Sequence, residues 1–141
     1  MKLSVSKTDT WAAMIDDRPG GLARKLAALA AAGANLEFII ARRAPERRGS
    51  GVVFVTPLKG SKQIKAAQVA GFQRTKSLHS LRVEGADKPG MGAKLTAELA
   101  KARINLRGLS AAAIGKRHVT HLALDTAKAA AKAATVLKKL R

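Results

Sequence analysis

The sequence is poor in the residues that most often carry covalent, redox and stacking chemistry. Among its 141 residues there is no cysteine and no tyrosine, and aromatic residues make up only 3%. The lack of cysteine excludes a disulfide framework, a thiol nucleophile and cysteine-based zinc sites. With so few aromatic side chains, the interior must be mainly aliphatic, with alanine allowing close packing. We expect the single tryptophan, Trp11, to anchor part of that core.

Acidic residues are also scarce. Nine Asp and Glu residues stand against 27 Lys and Arg residues, which gives a formal net charge of +18. Such a charge would suit nucleic acid or an anionic membrane surface. The basic residues are spread over turns and exposed helix positions, however, as is typical of a solvated surface. Charge alone therefore does not identify a partner.

Long hydrophobic runs are absent as well. The longest apolar stretch, residues 26–34, is too short to span a bilayer. The start Met1-Lys2-Leu3-Ser4 lacks the apolar core of a signal peptide. We therefore expect a soluble, cytoplasmic protein that does not associate with membranes.

A short pattern occurs twice in the sequence, at an offset of 70 residues. Its two copies are Asp17-Arg18-Pro19-Gly20 with Asn35 downstream, and Asp87-Lys88-Pro89-Gly90 with Asn105 downstream. Because both the turn and the asparagine keep the same offset, the chain is predicted to contain two copies of one structural unit.

Hydrophobic periodicity predicts the same order of elements in both copies. The first copy is predicted to have strands at residues 10–16, 35–43, 51–57 and 72–76, with helices at residues 19–32 and 61–70. The second copy is predicted to have strands at residues 78–84, 105–113 and 118–124, with helices at residues 89–102 and 127–139. The first copy thus reads strand-helix-strand-strand-helix-strand, whereas the second lacks the last strand.

The N-terminal segment can supply the missing strand. Shifted by 70 positions, residues 2–6 fall on residues 72–76, which form the last strand of the first copy. We therefore hypothesise that this segment pairs into the second sheet. The predicted domains are residues 1–77 and residues 78–141, with residues 1–7 as the strand that completes the second unit.

The doubled turn, helix and asparagine resemble the tandem ACT domain family of small amino-acid-binding regulatory modules. The resemblance covers nearly the whole chain. It implies an α+β protein of two ferredoxin-like (βαββαβ) units, each an antiparallel sheet with helices on one face. It also implies pairing of units, and we expect a homodimer.

The residues of the first turn have chemistry that suits an amino acid. Asp17 is able to cap the following helix, Pro19 fixes the backbone, and Gly20 and Gly21 allow close approach to the main chain. Free amides at a helix N-terminus attract a carboxylate, and Asp17 or Asn35 offers an oxygen for an ammonium group. In the alternative interpretation, the aspartates only cap helices, the glycines only form turns and the asparagines only bind local backbone.

The resemblance assigns ligand-binding roles by position. In such domains effectors sit at an interface between domains, near the first turn and the asparagine before the second strand. In the first copy these roles fall on Asp17, Gly20, Gly21 and Asn35. In the second copy they fall on Asp87, Gly90 and Asn105. The second copy departs from the pattern at Met91, Gly92 and Arg103, so we expect the first site to be better preserved.

An enzymatic function has little support in the sequence. His118 and His121 point to opposite faces of one predicted strand, so they cannot share a metal, and we expect surface or packing roles for them and for His79. No nucleophile elbow, acidic metal cluster or Walker-type phosphate loop is present, and no cofactor is indicated. The resemblance implies a stand-alone sensor or a subunit that acts on an enzyme or regulator in trans.

Two other functions remain open. RNA-recognition motifs have the same element order, and residues 48–55 partly match the signature of their third strand. Base stacking needs aromatic rings where this chain has Ser50, Val52 and Val55, which disfavours nucleic acid as a partner. The third function is a dimerisation module without a ligand.

Overall fold

The computed structural model describes residues 2–140, which contain eight strands and four helices. In chain order these are β1 (Ser4–Thr8), β2 (Trp11–Asp16), α1 (Gly21–Ala31), β3 (Phe38–Arg43), β4 (Ser50–Thr56), α2 (Gly60–Val69), β5 (Gln73–Arg74), β6 (His79–Ala86), α3 (Met91–Lys101), β7 (Gly108–Ile114), β8 (Arg117–Leu124) and α4 (Ala127–Lys138).

These elements form two compact units. The first unit is Asp9–Thr75, and the second combines the N-terminal segment up to Thr8 with the chain from Lys76 onward. The first unit contains a four-stranded sheet of order β3-β4-β2-β5, and the second a four-stranded sheet of order β1-β6-β8-β7. All neighbouring strands are antiparallel. With two helices each, the units have the ferredoxin-like α+β fold that the sequence predicts.

The core of the first unit follows from the alternation of residues along its strands. Trp11 and Ala13 of β2 are buried, whereas Met14 is 41% exposed. At 3% exposure Trp11 is the core anchor predicted from the sequence. It packs in one apolar cluster with residues from two strands, two helices and the segment before β5, namely Ala13, Leu29, Val53, Val55, Ala67 and Phe72.

The core of the second unit contains no aromatic residue among those described as buried there. Its members are aliphatic residues and one methionine, namely Leu3, Leu81, Val83, Met91, Leu95, Leu99, Ile104, Leu122, Leu124, Ala130, Ala133 and Leu137. Small alanines on α4 let the helix lie close to the sheet. The scarcity of aromatic residues is therefore compatible with a fully formed core.

Strand β1 forms one edge of the second sheet, and β7 forms the other. It lies antiparallel to β6, with Ser4 opposite Glu84 and Thr8 opposite Ser80. The 70-residue repeat predicts its partner strand but not its register. Arg74 lies opposite Trp11 in the first unit, whereas Lys7 lies opposite Leu81 in the second, so β1 is displaced by three residues. The domain assignment to residues 1–77 and 78–141, with residues 1–7 completing the second unit, stays a prediction, and Met1 lies outside the described residues.

Three predicted strands are shorter in the structure. β3 begins at Phe38 rather than Asn35, and β7 begins at Gly108 rather than Asn105. The backbone after α1 is still engaged with the helix, because the amide of Ala34 donates to the carbonyl of Leu29. β5 is limited to Gln73 and Arg74 because the amide of Phe72 donates to Ala67 at the end of α2.

Truncation of residues 1–8 should destabilise the protein. It removes five paired backbone positions and the buried side chain of Leu3 from the second unit. We expect the free energy of unfolding to fall by at least about 3 kcal/mol, measured by urea denaturation. Ser6→Ala, which keeps the backbone pairing, should leave stability nearly unchanged. An unchanged midpoint in the truncated protein would contradict a stabilising role of β1.

Arg103 offers a second test of stability. It ends α3 with a φ of 59°, where Gly33 ends α1 with a φ of 84°. A side chain with a Cβ is strained in this left-handed region by about 1 kcal/mol. Arg103→Gly should therefore raise the melting temperature, whereas Arg103→Ala, which keeps the Cβ, should not. Equal melting temperatures for the two variants would show that the backbone there is unstrained.

Candidate functional site

The turn between β2 and α1 is fixed by its own backbone. The amide of Arg18 donates to the carbonyl of Asp16 at 2.9 Å, and the amide of Gly21 donates to the carbonyl of Arg18 at 3.0 Å. A third bond, from the amide of Asp17 to the carbonyl of Gly49 at 3.0 Å, ties the turn to the connection before β4. The turn is therefore held in place before any ligand binds.

Asp17 does not cap α1, so that part of the sequence interpretation is wrong. The N-cap residue is Gly20, with a φ of 87°, and no side chain caps the helix. The carboxylate of Asp17 instead accepts a hydrogen bond from Nε of Arg43 at the end of β3, at 2.6 Å. The amides of the first turn of α1 are consequently left without a side-chain acceptor, which favours an anion at this end of the helix.

Gly21 is required by a close approach of the backbone. A Cβ at this position would lie 2.1 Å from the carbonyl oxygen of Asp16, which no side chain tolerates. Gly20 is required by its positive φ, and a Cβ there would meet nothing within 4 Å. The two glycines are thus required for different structural reasons, and only Gly20 leaves the main chain exposed, because Gly21 is buried.

Asn35 lies at the other end of the first unit. Two residues later, the amide of Glu37 donates to the carbonyl of Thr56, the last residue of β4, whereas Asp17 binds Gly49, just before β4 begins. A seven-residue strand spans about 20 Å. Asp17 and Asn35 of one unit therefore cannot hold the same small ligand, contrary to the sequence argument that the two strands flank the helix start. The side chain of Asn35 is exposed.

The second unit repeats the turn but fills the space beside it. The amide of Asp87 donates to the carbonyl of Lys116 at 2.8 Å, and Gly90 is the N-cap of α3, again without a side-chain cap. Asp87 and Asn105 are exposed. Met91, which stands where the first unit has Gly21, is only 4% exposed and belongs to the core. The two turns therefore share an exposed N-cap glycine and differ at the next residue, which is a buried glycine in the first unit and a core methionine in the second.

The histidines do not form a common site. His118 is buried in the second unit, with Nε2 at 3.2 Å from Oγ1 of Thr120, and His121 is half-buried on the other face of β8. Within residues 2–140 there is no group of three or more His, Cys, Asp or Glu side chains arranged to hold a metal ion. Nor does any helix of this part of the chain have the length and apolarity needed to cross a bilayer.

Sequence reasoning missed a cleft in the first unit. It has a volume of about 410 Å³ and lies between β2, α1 and the C-terminal end of α2, with a lining that includes Met14, Asp16, Gly21, Arg24, Lys25 and Ala70. The ammonium group of Lys25 donates to the carbonyl of Ala70 at the end of α2. A residue-by-residue comparison of the two copies, which places Lys25 opposite Leu95, was the signal available in the sequence.

Solved structures share this fold at low sequence identity. The regulatory subunit of aspartate kinase from Thermus thermophilus, in a ligand-free form, has a TM-score of 0.69 and 17% identity over 99% of this chain and 97% of its own. Protein BT0572 from Bacteroides thetaiotaomicron has a TM-score of 0.77 and 14% identity over 96% and 99% of the two chains. No protein-family model and no curated protein matches the sequence.

A third similar structure is a larger protein. Aspartate kinase from Clostridium acetobutylicum has a TM-score of 0.62 and 16% identity over 96% of this chain, but the match covers only 33% of the kinase. The same pair of units is thus found both as nearly a whole chain and as part of a longer one. At these identities the comparisons establish the fold.

Two glycine substitutions should have opposite effects. Gly21→Ala forces the backbone of the turn to move away from the carbonyl of Asp16, so we expect a loss of about 1–3 kcal/mol. Gly92→Ala, at the second residue of α3, adds a Cβ that meets nothing within 4 Å and should stabilise the helix by about 0.5 kcal/mol. Thermal unfolding of both variants measures the difference, and a neutral Gly21→Ala would show that the turn is not constrained.

Proposed function

We propose that this protein is a regulatory module, not an enzyme, that binds a small amino acid or related carboxylate at its first turn. The observation that carries the proposal is the start of α1, where the main chain is exposed at Gly20 and no side chain caps the helix. The fold shared with regulatory subunits of aspartate kinase supports a regulatory role.

The ligand carboxylate would accept hydrogen bonds from the first-turn amides of α1. Its ammonium group needs an oxygen acceptor, and Asp17 is already paired with Arg43 at 2.6 Å. Asn35 supplies a side-chain oxygen, but it lies at the opposite end of the unit. The ligand is therefore held between the Asp17–Gly21 turn of one chain and Asn35 of a second chain, which makes the functional form a homodimer.

The second turn has the corresponding residues Asp87, Gly90 and Asn105, but we expect it to bind a ligand less well. The core side chain of Met91 stands where the first unit has Gly21, which borders the cleft. In this proposal its main role is packing. Ligand binding at the first turn would change how the dimer engages an enzyme or regulator in trans in the cytoplasm.

Thermal unfolding in the presence of each of the twenty amino acids tests the proposal. A ligand at about a hundred times its dissociation constant should stabilise the folded protein by about 2.7 kcal/mol. We expect a shift with one or a few amino acids that is lost in Asp17→Ala, because the turn loses its tie to Arg43, and in Asn35→Ala. Asp87→Ala is the matched control and should keep the shift.

A mixing experiment tests the assignment to two chains. When Asp17→Ala and Asn35→Ala chains are combined, mixed dimers contain one site with an intact turn from one chain and Asn35 from the other. Part of the ligand response should therefore return in the mixture. If no amino acid shifts the melting temperature and the protein is a stable dimer, a ligand-free dimerisation module would be favoured instead. Salt-dependent oligonucleotide binding would favour RNA as the partner.

A further inference from the structure

The buried face of α1 contains a lysine where the second unit has a leucine. In α3 the most buried side chains are Met91, Leu95 and Leu99, spaced four residues apart. The corresponding residues of α1, 70 positions earlier, are Gly21, Lys25 and Leu29. Leu95 is fully buried, which shows that an apolar residue satisfies the packing at this position. Lys25 is half-buried and keeps its ammonium group hydrogen-bonded to Ala70.

The same comparison explains the open volume. Met91 belongs to the core of the second unit and Leu140 packs against it, whereas the first unit has Gly21 and Ala70 at the corresponding positions. Two large apolar side chains are thus replaced by a hydrogen atom and a methyl group. The carbonyl oxygen of Asp16 occupies the space beside Gly21, whereas the small side chain of Ala70, in place of Leu140, borders the cleft of about 410 Å³.

Charges of both signs line this cleft. The carboxylate of Asp16 lies 4.0 Å from the guanidinium group of Arg24, and it also lies 3.4 Å from Arg18. The second unit has Ala86 in place of Asp16. Lys25 uses one of its three donors on Ala70, which leaves two for a ligand. Capping the end of α2 accounts for that one contact, but it does not account for Ala70 in place of Leu140 or for Asp16 in place of Ala86.

We propose that this cleft binds an amino acid with two carboxylates, such as L-aspartate or L-glutamate. The contact between Asp16 and Arg24 is long, at 4.0 Å, and both side chains are exposed, so a ligand would replace it. Asp16 would then bind the ammonium group, and Arg24 and Lys25 would bind the two carboxylates. The cleft lies within one unit and does not require Asn35 or a second chain. It is therefore distinct from the turn site, although Gly21 borders both.

Methionine methyl NMR reads out this cleft directly. The chain has three methionines, of which Met14 lines the cleft and Met91 lies in the core of the second unit. Titration with L-glutamate or L-aspartate should give a saturable shift of the Met14 methyl signal and leave Met91 unchanged. Succinate lacks the ammonium group, and inorganic phosphate lacks both the ammonium group and the pair of carboxylates. Each should therefore bind at least about tenfold more weakly than the two amino acids.

Two variants take the residue of the second unit at the same position. Lys25→Leu and Asp16→Ala should each weaken the Met14 response by at least about tenfold. Asp16 is exposed, so Asp16→Ala should leave the fold intact and remains a test even if Lys25→Leu alters the fold. Lys25→Gln removes the charge but keeps a polar side chain, and it is the second variant at that position. Asn35→Ala should leave the Met14 response intact while it abolishes binding at the turn. This variant therefore distinguishes failure of the cleft proposal from failure of the turn proposal.

Three results would overturn the proposal. The first is the absence of a saturable Met14 shift at millimolar concentrations of both amino acids. The second is phosphate or succinate binding as tightly as the amino acids, which would mark a general anion patch. The third is a response that persists in both Lys25→Leu and Asp16→Ala, which would leave Lys25 only its contact with α2.

Discussion

The structure depends on completing the second antiparallel sheet. The chain that follows Lys76 supplies only three of its four strands, and the edge of β6 would otherwise expose a row of unpaired backbone groups. β1 pairs with this edge over five residues, and Leu3 joins the core beside it. The first unit is therefore inserted, along the chain, between two neighbouring strands of the second.

This connectivity leaves the two sheets unequal at corresponding edges. In the second sheet the outer strand is five residues long, but in the first it is only Gln73–Arg74. The short β5 pairs only with Trp11 and Ala12 of β2. Met14 and Asp16, further along β2, line the cleft instead. The difference in strand length thus accompanies a difference in side chains, since Leu140 packs against the second core where the first unit has Ala70 beside the cleft.

Because the chain contains two units of the same fold, corresponding positions in the two units can be compared. Where both units need the same backbone conformation, they have the same residue. Gly20 and Gly90, at the start of α1 and α3, have φ values of 87° and 82°. Positions where the units differ in chemistry, such as Lys25 and Leu95, separate packing from other demands. Charged residues found in one unit only, such as Lys25 and Asp16, are the features for which packing gives no explanation.

Hydrophobic periodicity and the 70-residue repeat can be seen without any knowledge of contacts, so they predict the order of the elements, the two ferredoxin-like units and the burial of Trp11. Other features depend on which segments meet in the fold. Asp17 pairs with Arg43 and does not cap a helix, because β3 ends beside the turn, and Asn35 lies at the far end of the unit. The register of β1 and the cleft beside Lys25 arise from contacts between distant segments, which no local pattern encodes.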